Sequence, residues 1–151
     1  MKKIITFILF LLPWFLSSIL FRINYSYYNS LNIPRITPPN SIITIIWIII
    51  YICIAISITI IYTNYKNNKN IDNYYKLLVT NYILNQLFIF SFFTLKSTLL
   101  AFLNAFAVLI STIWLYTETK VIDKKASLFL LPYLIWSLFA TLLSISIYLF
   151  N

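Results

Sequence analysis

Five stretches of the chain run without a charged residue: Ile4 to Phe21, Ile42 to Tyr62, Leu77 to Leu95, Ser97 to Thr117 and Ser127 to Phe150. A helix needs ~20 apolar residues to cross a hydrocarbon core of ~30 Å, because each residue rises ~1.5 Å. All five stretches meet that length. The second holds thirteen Ile, and at roughly −0.3 to −0.6 kcal/mol each on an insertion scale these outweigh its few hydroxyls. Ile favours strands in water, but hydrocarbon offers unpaired backbone groups no partner outside a helix or a closed barrel. A run so long and unalternating is therefore expected to be helical. The pattern predicts an all-α membrane protein, a five-transmembrane-helix bundle forming a single transmembrane domain over residues 1–151.

The polar segments between the runs are short. Arg22 to Ser41, with Pro34, Pro38 and Pro39, is the longest and reads as an ordered loop before the second helix. Tyr62 to Lys76 is a connector rich in Asn and Lys, Lys96 marks a tight turn, and Glu118 to Lys125 closes the fourth connection. Lys2 and Lys3 precede the first run, so a cleaved signal peptide competes with a retained span. Retention is favoured, because the run exceeds the usual ~7 to 15 residue signal core and Ser17-Ser18-Ile19 is a poor cleavage site.

Charge changes the picture in two ways. The formal net charge of +8 comes from 11 Lys and Arg against 3 acids, but the cations flank the apolar runs and form no aromatic-interleaved basic face, which argues against nucleic acid. Their distribution sets an orientation. Lys2, Lys3, Lys66, Lys69, Lys76, Lys120, Lys124 and Lys125 fall on one side and Arg22, Arg35 and Lys96 on the other. The positive-inside rule then puts the N-terminus in the cytoplasm of a bacterial inner membrane and the C-terminus outside. An organelle outer membrane is the alternative location.

No His and a single Cys, Cys53, leave no metal cluster or disulfide framework, and Cys53 reads as an apolar packing residue. No charge lies inside a run, so the acid or base that marks proton-coupled transport is missing. Gly is absent, so close packing must rest on other small pairs four residues apart: Ala55 with Thr59, Ala101 with Ala105, Ala107 with Ser111, and Ala140 with Ser144. The amides Asn81, Asn85, Gln86 and Asn104 are the polar groups expected to turn inward. They either bond helix to helix or line a ligand cavity. Trp47 and Trp114 stand toward helix ends, as an interfacial belt would place them. Trp136 lies near the middle of the last run, one turn from Pro132 and from Ala140, where it either packs the core or walls an apolar pocket.

The order and spacing of several motifs resemble those of the TspO/MBR family, also called translocator proteins or tryptophan-rich sensory proteins. Leu131-Pro-Tyr-Leu-Ile-Trp136, continuing through Phe139-Ala140 to Asn151, looks like the family's L-x-P-Y-L-x-W-x-x-F-A pattern and its closing N. Asn81-Tyr-Ile-Leu-Asn85 and Phe92-Phe93 are similar to Q-L-x-L-N and F-F. Pro34-Arg-Ile-Thr-Pro38-Pro39 resembles the K-P-x-W-x-P-P loop, and Trp47-Ile-Ile-Ile-Tyr51 resembles V-W-x-x-L-Y. The likeness covers roughly Tyr27 to Asn151.

The resemblance implies a five-helix bundle, often homodimeric, that binds porphyrins, haem or, in animals, cholesterol and synthetic ligands, with no obligatory cofactor. Carried over by motif, the ligand site would comprise Pro34, Ile36, Trp47, Tyr51, Asn85, Phe88, Phe92, Leu100, Asn104, Trp136, Ala140 and Leu143. Several positions depart from the pattern. Ile33 stands for the loop Lys, Ile36 for the loop Trp, Phe88 for a third-helix Trp, Ala55 for a Gly and Asn104 for an Asp. Nothing basic follows Tyr148, so the animal sterol motif is incomplete. The expected function is a membrane receptor, sensor or carrier for a tetrapyrrole or similar flat apolar molecule, held between helices under the Pro-rich loop, with Arg35 or an amide meeting a propionate. A porphyrin-degrading enzyme and a small structural or assembly subunit are the rivals. Loss of two indoles argues against the first.

Overall fold

The computed structural model describes residues 2–66 and 71–151; Lys69, counted above for orientation, lies outside the described residues. Five helices are long and apolar enough to cross a membrane: Lys3–Leu20, Asn40–Tyr65, Asp72–Thr94, Thr98–Ile122 and Lys124–Phe150. Each predicted run sits inside one of them, apart from the last residue of the first and third and the first of the fourth. The helices extend into the flanking polar residues because caps such as Asp123, whose carboxylate accepts from the Ala126 N–H at 2.9 Å, can satisfy the free backbone ends there.

Local chemistry breaks three of the spans. In the first, Pro13 removes one backbone donor, and Leu12–Phe15 tightens into a 3₁₀ turn between the α-helices Lys2–Leu11 and Leu16–Leu20. The third is α-helical over Asp72–Ile89 and widens to a π-helix over Phe90–Thr94, where the Leu95 N–H bonds the Phe90 carbonyl at 2.9 Å. It ends at Lys96, whose φ of 50° is left-handed. That region costs an L-residue roughly 1–2 kcal/mol and is usually left to Gly, which this chain lacks. The fifth divides into Lys124–Leu128 and Leu131–Phe150, with Pro132 in the first turn of the second piece, where its missing N–H costs nothing.

The long loop is partly helical. Tyr25–Ser30 forms a short helix capped by Asn24, whose side chain accepts from the Tyr27 N–H at 2.9 Å. The run of polar and aromatic residues there has no apolar periodicity, so the segment reads as loop in the sequence pattern and the helix is a difference the structure adds.

The fourth span lies between the third and the fifth. The first packs on the second through its N-terminal half and on the third through its C-terminal half, while the second also meets the fifth. Side chains bind these layers with hydrogen bonds that water cannot replace in a bilayer core. Asn81 Nδ2 donates to Ser111 Oγ at 2.8 Å and to Thr112 Oγ1 at 2.9 Å, and Tyr133 donates its phenol proton to Asn81 Oδ1 at 3.1 Å. Asn85 Nδ2 donates to the Tyr133 oxygen at 3.1 Å. Asn81 is fully buried and Tyr133 likewise, and such interhelical bonds contribute ~0.6 to 2 kcal/mol each. Across the join of the fourth and fifth spans Thr141 Oγ1 donates to the Ala105 carbonyl at 3.1 Å. Ala101, Ala105 and Ser144 are buried along that join, as the small-residue spacing anticipates.

Candidate functional site

At the end of the bundle where the chain finishes, the helices do not close on one another. They leave a cavity of about 220 Å³. Its size follows from side-chain volume. Ala101 and Ala105 on the fourth span face Ala140 and Ser144 on the fifth, and all four line the space that larger residues would fill. The space is open toward the loop and is not a sealed void, so a bound molecule can reach it without unfolding of the spans.

The walls are aromatic. Trp47 of the second span and Trp136 of the fifth meet edge to face, with centroids 6.4 Å apart and planes at 86°. The third span supplies Phe88, Phe92 and Phe93. Phe88 and Phe92 stack at 5.9 Å, and Phe92 meets Phe93 edge-on at 4.8 Å. The π-turn inserts an additional residue into this part of the helix, which shifts the angular position of Phe92 and Phe93 relative to a regular α-helix. Leu143 and Ile147 complete the apolar lining.

One amide reaches the cavity from the buried network. Asn85 lines it while its Nδ2 bonds Tyr133, and its Oδ1 receives only a long contact, 3.4 Å, from the Tyr51 hydroxyl. The carbonyl oxygen of Asn85 therefore keeps accepting capacity for a bound group. The indole Nε1 of Trp136 is buried without a hydrogen-bond partner among the described residues.

The cover is the first part of the long loop. Ile23, Tyr25 and Tyr28 line the cavity, while Asn40, Ile43 and Thr44 contribute from the start of the second span. Two latches hold this cover. The Tyr27 hydroxyl donates to the Lys96 carbonyl at 2.9 Å. At the other side Asn151 Oδ1 accepts from the Asn32 N–H at 2.8 Å and Asn151 Nδ2 donates to the Asn32 carbonyl at 3.3 Å. Burial pushes the Tyr28 phenol upward from its ordinary pKa, so it stays neutral over the cavity.

Of the residues carried over by motif, Trp47, Asn85, Phe88, Phe92, Trp136, Ala140 and Leu143 meet at this cavity. Tyr51 stands behind it, tilted against Trp47 at 5.4 Å and bonded to Asn85. Pro34 does not line it, and Ile36 is 66% exposed. Leu100 is also exposed. Asn104 lies off the cavity with Oδ1 buried and unpartnered among the described residues. Arg35 is exposed away from the walls. Sequence reasoning missed the Ile23, Tyr25 and Tyr28 cover and the small residues Ala101 and Ala105 as walls. The four-residue spacing of the alanines was visible, but it does not distinguish a tight join from one left open on its inner side.

Comparison with known proteins identifies the family. The family model described as the TspO/MBR family matches residues 4–149, so the match takes in the first span, which the motifs alone did not reach. The "Tryptophan-rich protein TspO" of Bacillus cereus is 38% identical over 153 residues, covering 100% of this chain and 99% of that protein. The "Uncharacterized membrane protein YtaB" of Bacillus subtilis is 40% identical over 128 residues, or 85% of this chain and 82% of the relative. A "Tryptophan-rich protein TspO" of Archaeoglobus fulgidus is 33% identical over 131 residues, covering 83% and 80%. Five spans, the aromatic cavity and these matches together place the chain in the TspO/MBR family.

Proposed function

We propose that this multi-pass membrane protein is a receptor or sensor, or a carrier, that holds a tetrapyrrole or a similar flat apolar ligand in the cavity beneath the Tyr25–Ser30 helix. The observation that carries the reading is the wall itself: Trp47, Trp136, Phe88, Phe92 and Phe93 line one largely apolar space together with Asn85. Flat rings stack on such walls, and the amide offers one directional contact. At about 220 Å³ the space falls below the ~300–1,000 Å³ of ordinary ligand pockets. A macrocycle therefore enters with the cover displaced outward, which the two latches permit without disturbing the spans.

The reading is of binding without chemical turnover. The described residues hold no acid–base pair at the cavity, and the third span presents Phe88 where an oxidisable indole would favour photochemical breakdown. The basic residues at the cavity-distal end support an orientation with the N-terminus in the cytoplasm of a bacterial inner membrane and the cavity facing out.

The test is a protoporphyrin titration of purified protein followed by quenching of Trp fluorescence. Saturable quenching that Trp136→Ala weakens supports the reading. Linear, non-saturable quenching that is indifferent to Trp136→Ala would leave a structural membrane subunit as the better account.

A further inference from the structure

We propose that Arg22 forms an anion subsite continuous with the cavity, so that the ligand is an amphiphilic acid whose apolar body lies between the spans and whose carboxylate meets the guanidinium. This rests on the cavity being the ligand site. Immediately after the first span ends, the backbone at Phe21 turns extended, with φ −115° and ψ 123°, and carries Arg22 into an open depression beside the cavity. The two hollows share a wall: Ile23, Tyr25 and Phe93 line both, and Arg22 lines only the outer one.

The electrostatics point the same way. The cavity-side connections carry Arg22, Arg35 and Lys96 and no Asp or Glu, whereas Asp72, Glu118 and Asp123 all stand at the opposite end of the spans. Arg35 and Lys96 line neither hollow, and the Arg22 side chain makes no ion pair or hydrogen bond among the described residues. A carboxylate left inside the aromatic cavity would be a buried, unpaired charge, which costs far more than the stacking contributes. It has to leave the apolar walls, and the hollow that shares one of those walls is lined by the exposed Arg22, whose planar guanidinium is suited to bidentate pairing with it.

The experiment compares protoporphyrin IX, which carries two carboxylates, with its dimethyl ester, which keeps the ring and loses the charge. Both are titrated by Trp quenching against the parent, Arg22→Gln, Arg22→Lys and Arg35→Gln, first in non-ionic detergent free of lipid and then with anionic lipid added. The parent should prefer the acid. Arg22→Gln should weaken the acid about three- to tenfold, as a partly solvated charge-assisted pair implies, and leave the ester within about twofold. Arg22→Lys should recover part of the loss, and Arg35→Gln should change neither pigment. Equal losses in Arg22→Gln and Arg35→Gln would show a general field and no subsite, and an acid-to-ester preference unaltered in Arg22→Gln would also overturn the proposal. A loss seen only when anionic lipid is present would assign Arg22 to headgroup phosphate instead. If neither pigment binds the parent, or if Ala140→Phe weakens neither, the cavity reading itself fails, which is a different result from loss of the acid preference alone.

Discussion

Gln86 ties the turn that Pro13 makes in the first span to the helix that follows it. Its Oε1 accepts from the Ser17 N–H at 2.7 Å, and its Nε2 donates to the Trp14 carbonyl at 3.3 Å. The 3₁₀ turn leaves both backbone groups without helical partners in a region where water is scarce, and one amide from the third span satisfies them together. Tyr82 adds a third tie, its hydroxyl donating to the Pro13 carbonyl at 3.0 Å. Trp14, 2% exposed, is thereby fixed in the core against Tyr51 and Tyr133. Gln86→Leu should lower stability by about 1–3 kcal/mol, the usual cost of stranding buried polar groups, read as a lower unfolding midpoint in detergent. A midpoint equal to the parent's would mean the break is satisfied by other means.

Tyr133 sits between Asn81 and Asn85, donating to one and accepting from the other. Tyr133→Phe keeps the ring and removes both bonds, so it should cost roughly 1–4 kcal/mol of bundle stability at ~0.6 to 2 kcal/mol per bond. It also frees the Asn85 amide, which lines the cavity. Ligand affinity should therefore change by less than the stability does, and comparing the unfolding midpoint with the quenching titration separates the two effects.

The cover is held by Tyr27 on Lys96 and by Asn32 on Asn151. Because the Asn32 Nδ2 also donates to the Phe150 carbonyl at 3.2 Å, it takes Tyr27→Phe combined with Asn32→Ala and Asn151→Ala to remove the latches, and none of the three lines the cavity. Association and dissociation should both accelerate, by about fivefold for each ~1 kcal/mol of closure energy removed, while the equilibrium affinity moves little. Stopped-flow quenching measures this. Unchanged rates would place the entry route elsewhere, such as between spans.

Much of this architecture is legible in the sequence. The five runs give the spans because hydrocarbon demands length and apolarity above all else, and the clustering of Asn81, Asn85 and Gln86 already points inward. The breaks are harder to read. Pro13 is visible, but nothing local says that Gln86 compensates for it. The π-turn at Phe90–Thr94 and the left-handed Lys96 are imposed by the turn into the fourth span in a chain that has no Gly to spend there. Motif transfer brought Trp47, Phe88, Trp136 and Ala140 to one place, because those positions lie on helices whose register is fixed. It was less informative for Pro34 and Ile36, since position along an irregular loop does not determine which residue faces the bundle.

That difference sharpens the expectation for photochemistry. Phe88 lines the cavity and Ile36 is largely exposed outside it. If an indole beside the macrocycle is what makes pigment breakdown possible, Phe88→Trp should raise the rate of protoporphyrin bleaching under illumination, and Ile36→Trp should not. The parent should bind pigment and bleach it slowly. Fast bleaching by the parent that Trp136→Ala abolishes and Phe88→Trp does not increase would show that the replaced indole is irrelevant.

The central claim is that the space bounded by the small residues of the fourth and fifth spans is where the ligand sits, and Ala140→Phe probes it most directly. A phenyl group at this lining position adds apolar bulk to a cavity of about 220 Å³, while the protein should insert and unfold at a midpoint near the parent's, because the added group has open space to occupy. Protoporphyrin titration of this variant beside the parent should show affinity falling at least tenfold, on the order of 1.4 kcal/mol or more. A correctly inserted Ala140→Phe protein that binds protoporphyrin as tightly as the parent would contradict the account.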